Sequence, residues 1–293
     1  MVDLRATDPI ATEARDESSA LALLRRLPQS RVGMIGILLI LSWVVLALLA
    51  PWVGLPSPNA QDYAAIPRPQ PSAVHWLGVD QLGRDELSRL IWGARTVLTV
   101  APIAVIAAYI AGCTLGLLAG YYGGWTDAVI SRFSDVILSF PVIVLYVILI
   151  ANIGPSRFNI VVAVVLASGP GIARIVRGLV LELKEQDFVA AAQLRRETSA
   201  YIMIVELLPN CRGPLITDFC LRLGYTTITI GILGFLGLGL PPPDPDWGGM
   251  VQQGTAMITV WPHMALLPCL AIVSLVLGFN LLADGLRELF LND

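Results

Sequence analysis

Few side chains in this 293-residue sequence can do chemistry, and their spacing excludes most reactions. A phosphate-cradling loop of the form G-x-x-x-x-G-K-[ST] needs a lysine beside its glycines. The single lysine, Lys184, follows Glu182-Leu183, so no such loop exists and the chain does not hydrolyse ATP through one. His75 and His263 lie in different regions without H-E-x-x-H spacing, and no metal site is expected. Cys113, Cys211, Cys220 and Cys269 lack C-x-x-C spacing and read as free thiols packed as small hydrophobes. Gly154-Pro155-Ser156 faintly resembles an intramembrane serine protease motif, but Ser156 falls in a loop beside proline. No catalytic residue emerges.

Carriers coupled to ions bury ionisable groups along their pathway. The candidates are Asp135, near a helix start, and Asp218 with Arg222, spaced i, i+4 so that both meet on one helical face. The pair reads first as self-neutralised near a membrane boundary and second as a coupling site. Gly112, Gly116 and Gly120 form a stripe at four-residue spacing that suits close helix packing rather than substrate contact. Asp187-Phe188-Val189-Ala190-Ala191-Ala192-Gln193-Leu194 predicts a short helix, with Asp187 at its positive end and three helix-favouring alanines. So little side-chain bulk lets another protein's groove approach the backbone; the plain alternative is a solvated connector.

The elements that carry these residues are set by composition. The apolar fraction is 56% and the charged fraction 14%, against roughly 25% charged in soluble domains. A soluble domain, a disordered chain and a disulfide scaffold are excluded. A net charge of −3 gives no footprint for nucleic acid. Stretches 32–61, 96–126, 136–156, 158–173, 223–243 and 247–283 contain no Asp, Glu, Lys or Arg. A spanning helix needs about 20 apolar residues. The expectation is an all-α polytopic membrane protein with six transmembrane helices near 33–50, 97–119, 131–152, 159–180, 214–238 and 263–285.

The first apolar run is expected to be an uncleaved anchor over 32–50, after a cytoplasmic segment 1–31 of mixed charge. With the N-terminus inside, thirteen positive residues fall on cytoplasmic segments and five outside, which favours both termini in the cytoplasm. Segment 51–95 is then extracytoplasmic, and 181–213 is a cytoplasmic loop, helix-prone until Pro209 and Pro214 stop it. Pro141, Pro262 and Pro268 are expected to kink or delimit helices.

The stretch from Asp187 to Asn210 resembles the cytoplasmic EAA loop of binding-protein-dependent ABC importer permeases. That pattern is E-A-A-x-x-x-G, an isoleucine six residues later and a proline seven beyond it. Here the register gives Ala190-Ala191-Ala192, Arg196, Ile202 and Pro209, with Ala190 in place of Glu and Arg196 in place of Gly. A longer match lies in His75-Trp76-Leu77-Gly78-Val79-Asp80-Gln81-Leu82-Gly83-Arg84-Asp85-Glu86-Leu87-Ser88-Arg89-Leu90 with Gly93-Ala94-Arg95. It resembles the C-type subunits of the dipeptide, oligopeptide and nickel permeases, as do Ala119-Gly120-Tyr121-Tyr122-Gly123-Gly124-Trp125 and Asp284-Gly285-Leu286-Arg287.

The resemblance implies a type I ABC importer permease fold, with its transmembrane domain over about 90–290, in a prokaryotic inner membrane. It implies a second homologous permease, two ATPase subunits that bind ATP and Mg, an extracytoplasmic solute-binding protein and surrounding lipid as partners. The coupling role would fall on Asp187, Ala190, Ala191, Ala192, Arg196, Ile202 and Pro209. Di- or oligopeptides are the expected cargo, with metal chelates, glutathione or oligosaccharides as alternatives. A secondary carrier and an intramembrane hydrolase are the rival classes.

Overall fold

A computed structural model of the chain describes residues 30–241 and 244–291. Nearly all of the expected cytoplasmic segment 1–31, and Pro242-Pro243, lie outside the described residues. The helices are α1 (Arg31–Leu49), α2 (Glu86–Tyr122), α3 (Gly124–Leu138), α4 (Val142–Ile153), α5 (Arg157–Leu183), α6 (Asp187–Leu194), α7 (Arg212–Phe235), α8 (Trp247–Thr255) and α9 (His263–Leu291). A helical run of Ser199–Tyr201, a π-helical turn Ile202–Leu207 and Leu208–Asn210 joins α6 to α7. Among the described residues the only β pairings are isolated bridges, Gln61 with Arg84 and Val79 with Asp85.

Five helices, α1, α2, α5, α7 and α9, are each long and apolar enough to cross a membrane. The sixth expected span, 131–152, is not one rod. It is made of α3 and α4, which meet at 88°. Pro141 opens α4, and a proline disfavours helical geometry in the residue before it, so the chain turns at Ser139-Phe140. Ion pairs tie α3 to α5: Asp127 bonds Arg177 (Oδ2 to Nη2 2.6 Å) and Asp135 bonds Arg174 at 2.7 Å. Asp135 is thus spent on a partner at the surface, not placed in a buried relay.

The longest packing contact runs between α2 and α5. Gly112, Gly116 and Gly120 all face α5, where a Cβ would lie 2.6 Å from the Cβ of Ile172, 2.6 Å from that of Val176 and 2.7 Å from that of Val180. At Gly116 the same atom would also press on the Ala173 carbonyl at 2.6 Å, which is backbone and cannot move aside. Gly116→Val therefore costs about 1–3 kcal/mol of overpacking. A thermal melt of the purified variant in detergent should shift downward; an unchanged melt would place the stripe elsewhere.

Two boundaries moved for physical reasons. Helix α2 starts eleven residues before the expected 97, because Asp85 caps it by accepting from the Ser88 N–H at 2.7 Å. Its 37 residues make about 56 Å, longer than a hydrocarbon core of about 30 Å, so its first turns stand clear of lipid. Pro209 does not stop the helix before it. The turn ahead widens to i→i+5 bonding, with Leu208 N–H on the Met203 carbonyl, and Pro209 sits in the turn that follows. Pro214 lies in the first turn of α7, where a missing N–H costs nothing.

Candidate functional site

Helix α6 sits between two spanning helices and is fixed by one face only. Val189 and Ala192 are fully buried in the main core, alongside Ile202 and Leu207 of the π-turn. The opposite face carries Asp187, Ala190, Ala191 and Gln193, all exposed, and Leu194 with 85% of its surface open. Of the three alanines, Ala190 and Ala191 thus face outward while Ala192 is committed to the chain's own interior. Ile202 is buried beneath the helix and Pro209 is exposed beyond it. The outcome is a low-relief apolar surface, open to a partner and braced from behind.

The end of α6 accounts for one departure from the EAA pattern. Arg196 N–H bonds the Gln193 carbonyl at 2.9 Å and Glu197 N–H the Ala192 carbonyl at 3.2 Å, the paired bonds of a Schellman turn. That turn puts its first residue past the cap in the left-handed region, and Arg196 has φ 59°. A glycine takes this conformation freely, whereas a side chain there costs about 1–2 kcal/mol. Arg195 steadies the turn by bonding Glu206 at 3.0 Å. Arg196→Gly should raise the melting temperature; a lower one would show that the arginine side chain makes a compensating contact.

The motif from His75 onward folds into a polar knot that ties the start of α2 to α8 and α9. His75 Nδ1 lies 2.8 Å from Asp85 Oδ2, and its Nε2 lies 3.3 Å from Asp62 Oδ2. Burial pushes the imidazole down, but the bonds to Asp85 and Asp62 outweigh it and raise the ring above its ordinary value. The same His75 bond, with the Ala64 N–H, holds Asp62 below the usual carboxylate range. Asp80 accepts from the backbone N–H of Leu82 and Arg84, both at 2.9 Å, and from Arg84 Nε at 2.6 Å. Gln81 Nε2 then reaches the Gln253 carbonyl of α8 at 2.6 Å. These groups satisfy each other, whereas Glu86 Oε2 and Arg89 Nε of the same motif are buried without a hydrogen-bond partner among the described residues.

Helix α8 escapes a search based on charge-free runs, because 247–262 merges with the last span. The usable signal was Asp246 before Trp247-Gly248-Gly249: the carboxylate caps α8 by accepting from the N–H of Gly248 and Gly249. Burial pushes Asp246 up to about 6, against the lowering pull of those two N–H groups. Trp247 is buried and donates its indole N–H to the Leu90 carbonyl of α2 at 2.8 Å.

The other chemistry-bearing residues have structural posts. Ser156 caps α5 by accepting from the Asn159 N–H. His263 Nε2 lies 3.2 Å from the Pro69 carbonyl. All four cysteines are free, with Cys211 and Cys220 buried. Among the described residues no cluster of three His, Cys, Asp or Glu could hold a metal. The pair Asp218 and Arg222 does form, at 2.6 Å. It lies six to ten residues inside α7, and the two side chains keep only 22% and 18% of their surface exposed.

Residues 112–292 match the family described as the binding-protein-dependent transport system inner membrane component. The chain is 36% identical to the dipeptide transport system permease protein DppC of Alkalihalophilus pseudofirmus, over 97% of this chain and 95% of that one. It is 40% identical to the glutathione transport system permease protein GsiD of Pectobacterium atrosepticum, over 90% and 88% of the two chains. The GsiD protein of Escherichia coli is 39% identical over 90% and 87%.

Proposed function

We propose a cargo, an assembly and an orientation for this chain on one premise: it belongs to the binding-protein-dependent transport system inner membrane component family, the permease subunits of ABC importers. It is accordingly a multi-pass inner membrane permease of type I fold, working with ATPase and solute-binding partners. The proposed cargo is di- or oligopeptide, glutathione included. This reading is supported by relatives named for dipeptide and glutathione transport that align along nearly the whole chain. The assembly with ATPase subunits rests on α6 above all, a braced helix with an outward face of two alanines and an open leucine.

In the proposed assembly this chain pairs with a second homologous permease and two ATPase subunits, which bind and hydrolyse ATP with Mg. The solute-binding protein delivers cargo from outside, and both termini lie in the cytoplasm, as the thirteen-to-five distribution of positive residues favours. The residues that receive the ATPase are Asp187, Ala190 and Ala191, with Ala192 and Ile202 packed behind them and Pro209 exposed beyond. ATP-driven closure of the ATPases presses on α6, and α5 and α7, which flank it in the chain, carry the movement into the membrane between two discrete packings. The knot around His75 keeps the outer ends of α2, α8 and α9 together as that happens.

The cargo assignment is tested on the cognate binding protein by calorimetry against dipeptides, glutathione, metal chelates and oligosaccharides. Tight binding of a peptide or of glutathione supports it. Tight binding of a non-peptide with no peptide signal would sink the cargo and leave the permease in place.

A further inference from the structure

Glu86 opens α2, in the turns that stand clear of lipid, yet its side chain is turned inward. The residue is 2% exposed, and its Oε2 is buried with no hydrogen-bond partner among the described residues. An ionised carboxylate there would lose its hydration and gain no bond in return, a costly arrangement in a protein interior. The space beside it, bounded by Asp80, Gln81, Met250, Gln253, Gly254 and Met264, measures about 10 Å³. That is room for about one water, too little to hydrate a charge. A partner subunit cannot supply the missing bond, because this chain's own residues close Oε2 off.

The surrounding charges call for no further anion. The segment leading into α2 and its first turns hold Asp62, Asp80 and Asp85 against His75, Arg84 and Arg89. Helix α8 adds Asp246 within electrostatic reach of Arg89, and α9 begins with His263, held on the Pro69 carbonyl. Asp80 binds Arg84 and lies 3.6 Å from Arg89, Asp85 binds the His75 ring and the Ser88 N–H, and Arg89 Nη1 sits 3.3 Å from the Pro58 carbonyl. Even with His75 protonated, negative groups outnumber positive ones before Glu86 is counted. Burial, then the charge of Asp80, push Glu86 up to about 8, against the pull of Arg89 and Arg84.

We infer that Glu86 is a proton-binding site: it stays protonated at neutral pH, and that proton keeps α2 joined to α8. The join is made by its neighbours. Arg84 Nη2 donates to Gln253 Oε1 at 2.7 Å while Arg84 Nε holds Asp80, and Gln81 Nε2 reaches the Gln253 carbonyl at 2.6 Å. A neutral Glu86 leaves Arg84 to Asp80 and Gln253. An ionised one competes for Arg84 and Arg89 and draws Arg84 off α8. A carboxyl raised from 4.5 to about 8 on folding holds its proton more tightly in the native state. Stability therefore falls as the pH climbs between those values and levels off above them.

The test uses the purified full chain in detergent and Glu86→Gln, which matches the protonated acid in shape. Glu86→Met, apolar and of similar length, serves as a second reference should the glutamine variant not accumulate. The infrared difference between wild type and variant at neutral pH should show the carbonyl band of a protonated carboxylic acid, fading as the pH passes about 8. Carboxylate bands in its place at neutral pH would overturn the inference. The melting temperature of the variant should gain several degrees on the wild type as the pH rises from about 5 to about 8, and keep that lead above. A gap that does not change with pH would overturn it as well, since a merely structural glutamate gives no such trend. Spin labels on the exposed Leu82 and Ala256 should report a distance that broadens above about pH 8 with Glu86 in place and holds in Glu86→Gln. A distance indifferent to pH in both would overturn the joining role.

Discussion

Ala191→Trp should reach the membrane at the wild-type level yet lose most of its ATP-driven uptake, whereas Ala192→Trp should fail to accumulate. The two alanines are adjacent in sequence but about 100° apart around α6. Ala191 is exposed on the face left for a partner, while Ala192 has no exposed surface and packs in the core against the π-turn. An indole at 191 blocks the close approach of an ATPase groove without touching the permease's own packing. Losing even about 1.4 kcal/mol of docking weakens the affinity tenfold, and a blocked approach costs more, so uptake should fall at least about tenfold. An indole at 192 must instead push into a filled interior. Membrane abundance by immunoblot and uptake in the same cells separate the two. Normal transport by Ala191→Trp at normal abundance would show that α6 is a connector and not a docking helix.

Trp247→Ala should cause a large loss of stability. The indole is 1% exposed, donates to Leu90 of α2 at 2.8 Å and lies edge-on to Trp43 of α1 with ring centroids 5.0 Å apart. Gly93 of α2 makes room for it, since a Cβ there would stand 2.6 Å from the ring. One side chain thus joins α8 to two spanning helices, and truncating a buried tryptophan typically costs 3–5 kcal/mol. The variant should aggregate on extraction, or lose its monodisperse peak well below the wild-type temperature in heated size-exclusion runs. Trp247→Phe keeps most of the contact area but leaves the Leu90 carbonyl without its donor, a smaller loss of about 1–3 kcal/mol. A Trp247→Ala protein that melts with the wild type would mean that α8 is held by other contacts.

How much of this was readable in advance depends on what each signal measures. Charge-free runs located α1, α5, α7 and α9 to within a few residues, because lipid imposes the same requirement on every span. The same signal misjudged α2, whose first turns leave the membrane and keep their charges, and it passed over the turn at Ser139-Phe140-Pro141. There the proline was the better guide. Four-residue spacing was enough to mark Gly112, Gly116 and Gly120 as a packing stripe, since the reason for it lies within one helix. Which of Ala190, Ala191 and Ala192 faces the core was not readable. The surface that buries Ala192 comes from Ile202 and Leu207, brought beneath α6 by a π-turn with no plain sequence mark. Arg196 was visible only as a departure from a pattern; its left-handed backbone supplies the reason the pattern asks for glycine. The Asp218–Arg222 pair was legible from its spacing, whereas the Tyr109 hydroxyl that meets Asp218 comes from a different helix.

The most direct test of the account is uptake of a labelled dipeptide into proteoliposomes assembled with this chain, the second permease, the ATPase subunits and the binding protein, omitting one component at a time. The account predicts accumulation against a gradient only when every one of these proteins is present with Mg-ATP, and none when any is left out. Accumulation by this chain alone, driven by an ion gradient without nucleotide, would contradict it.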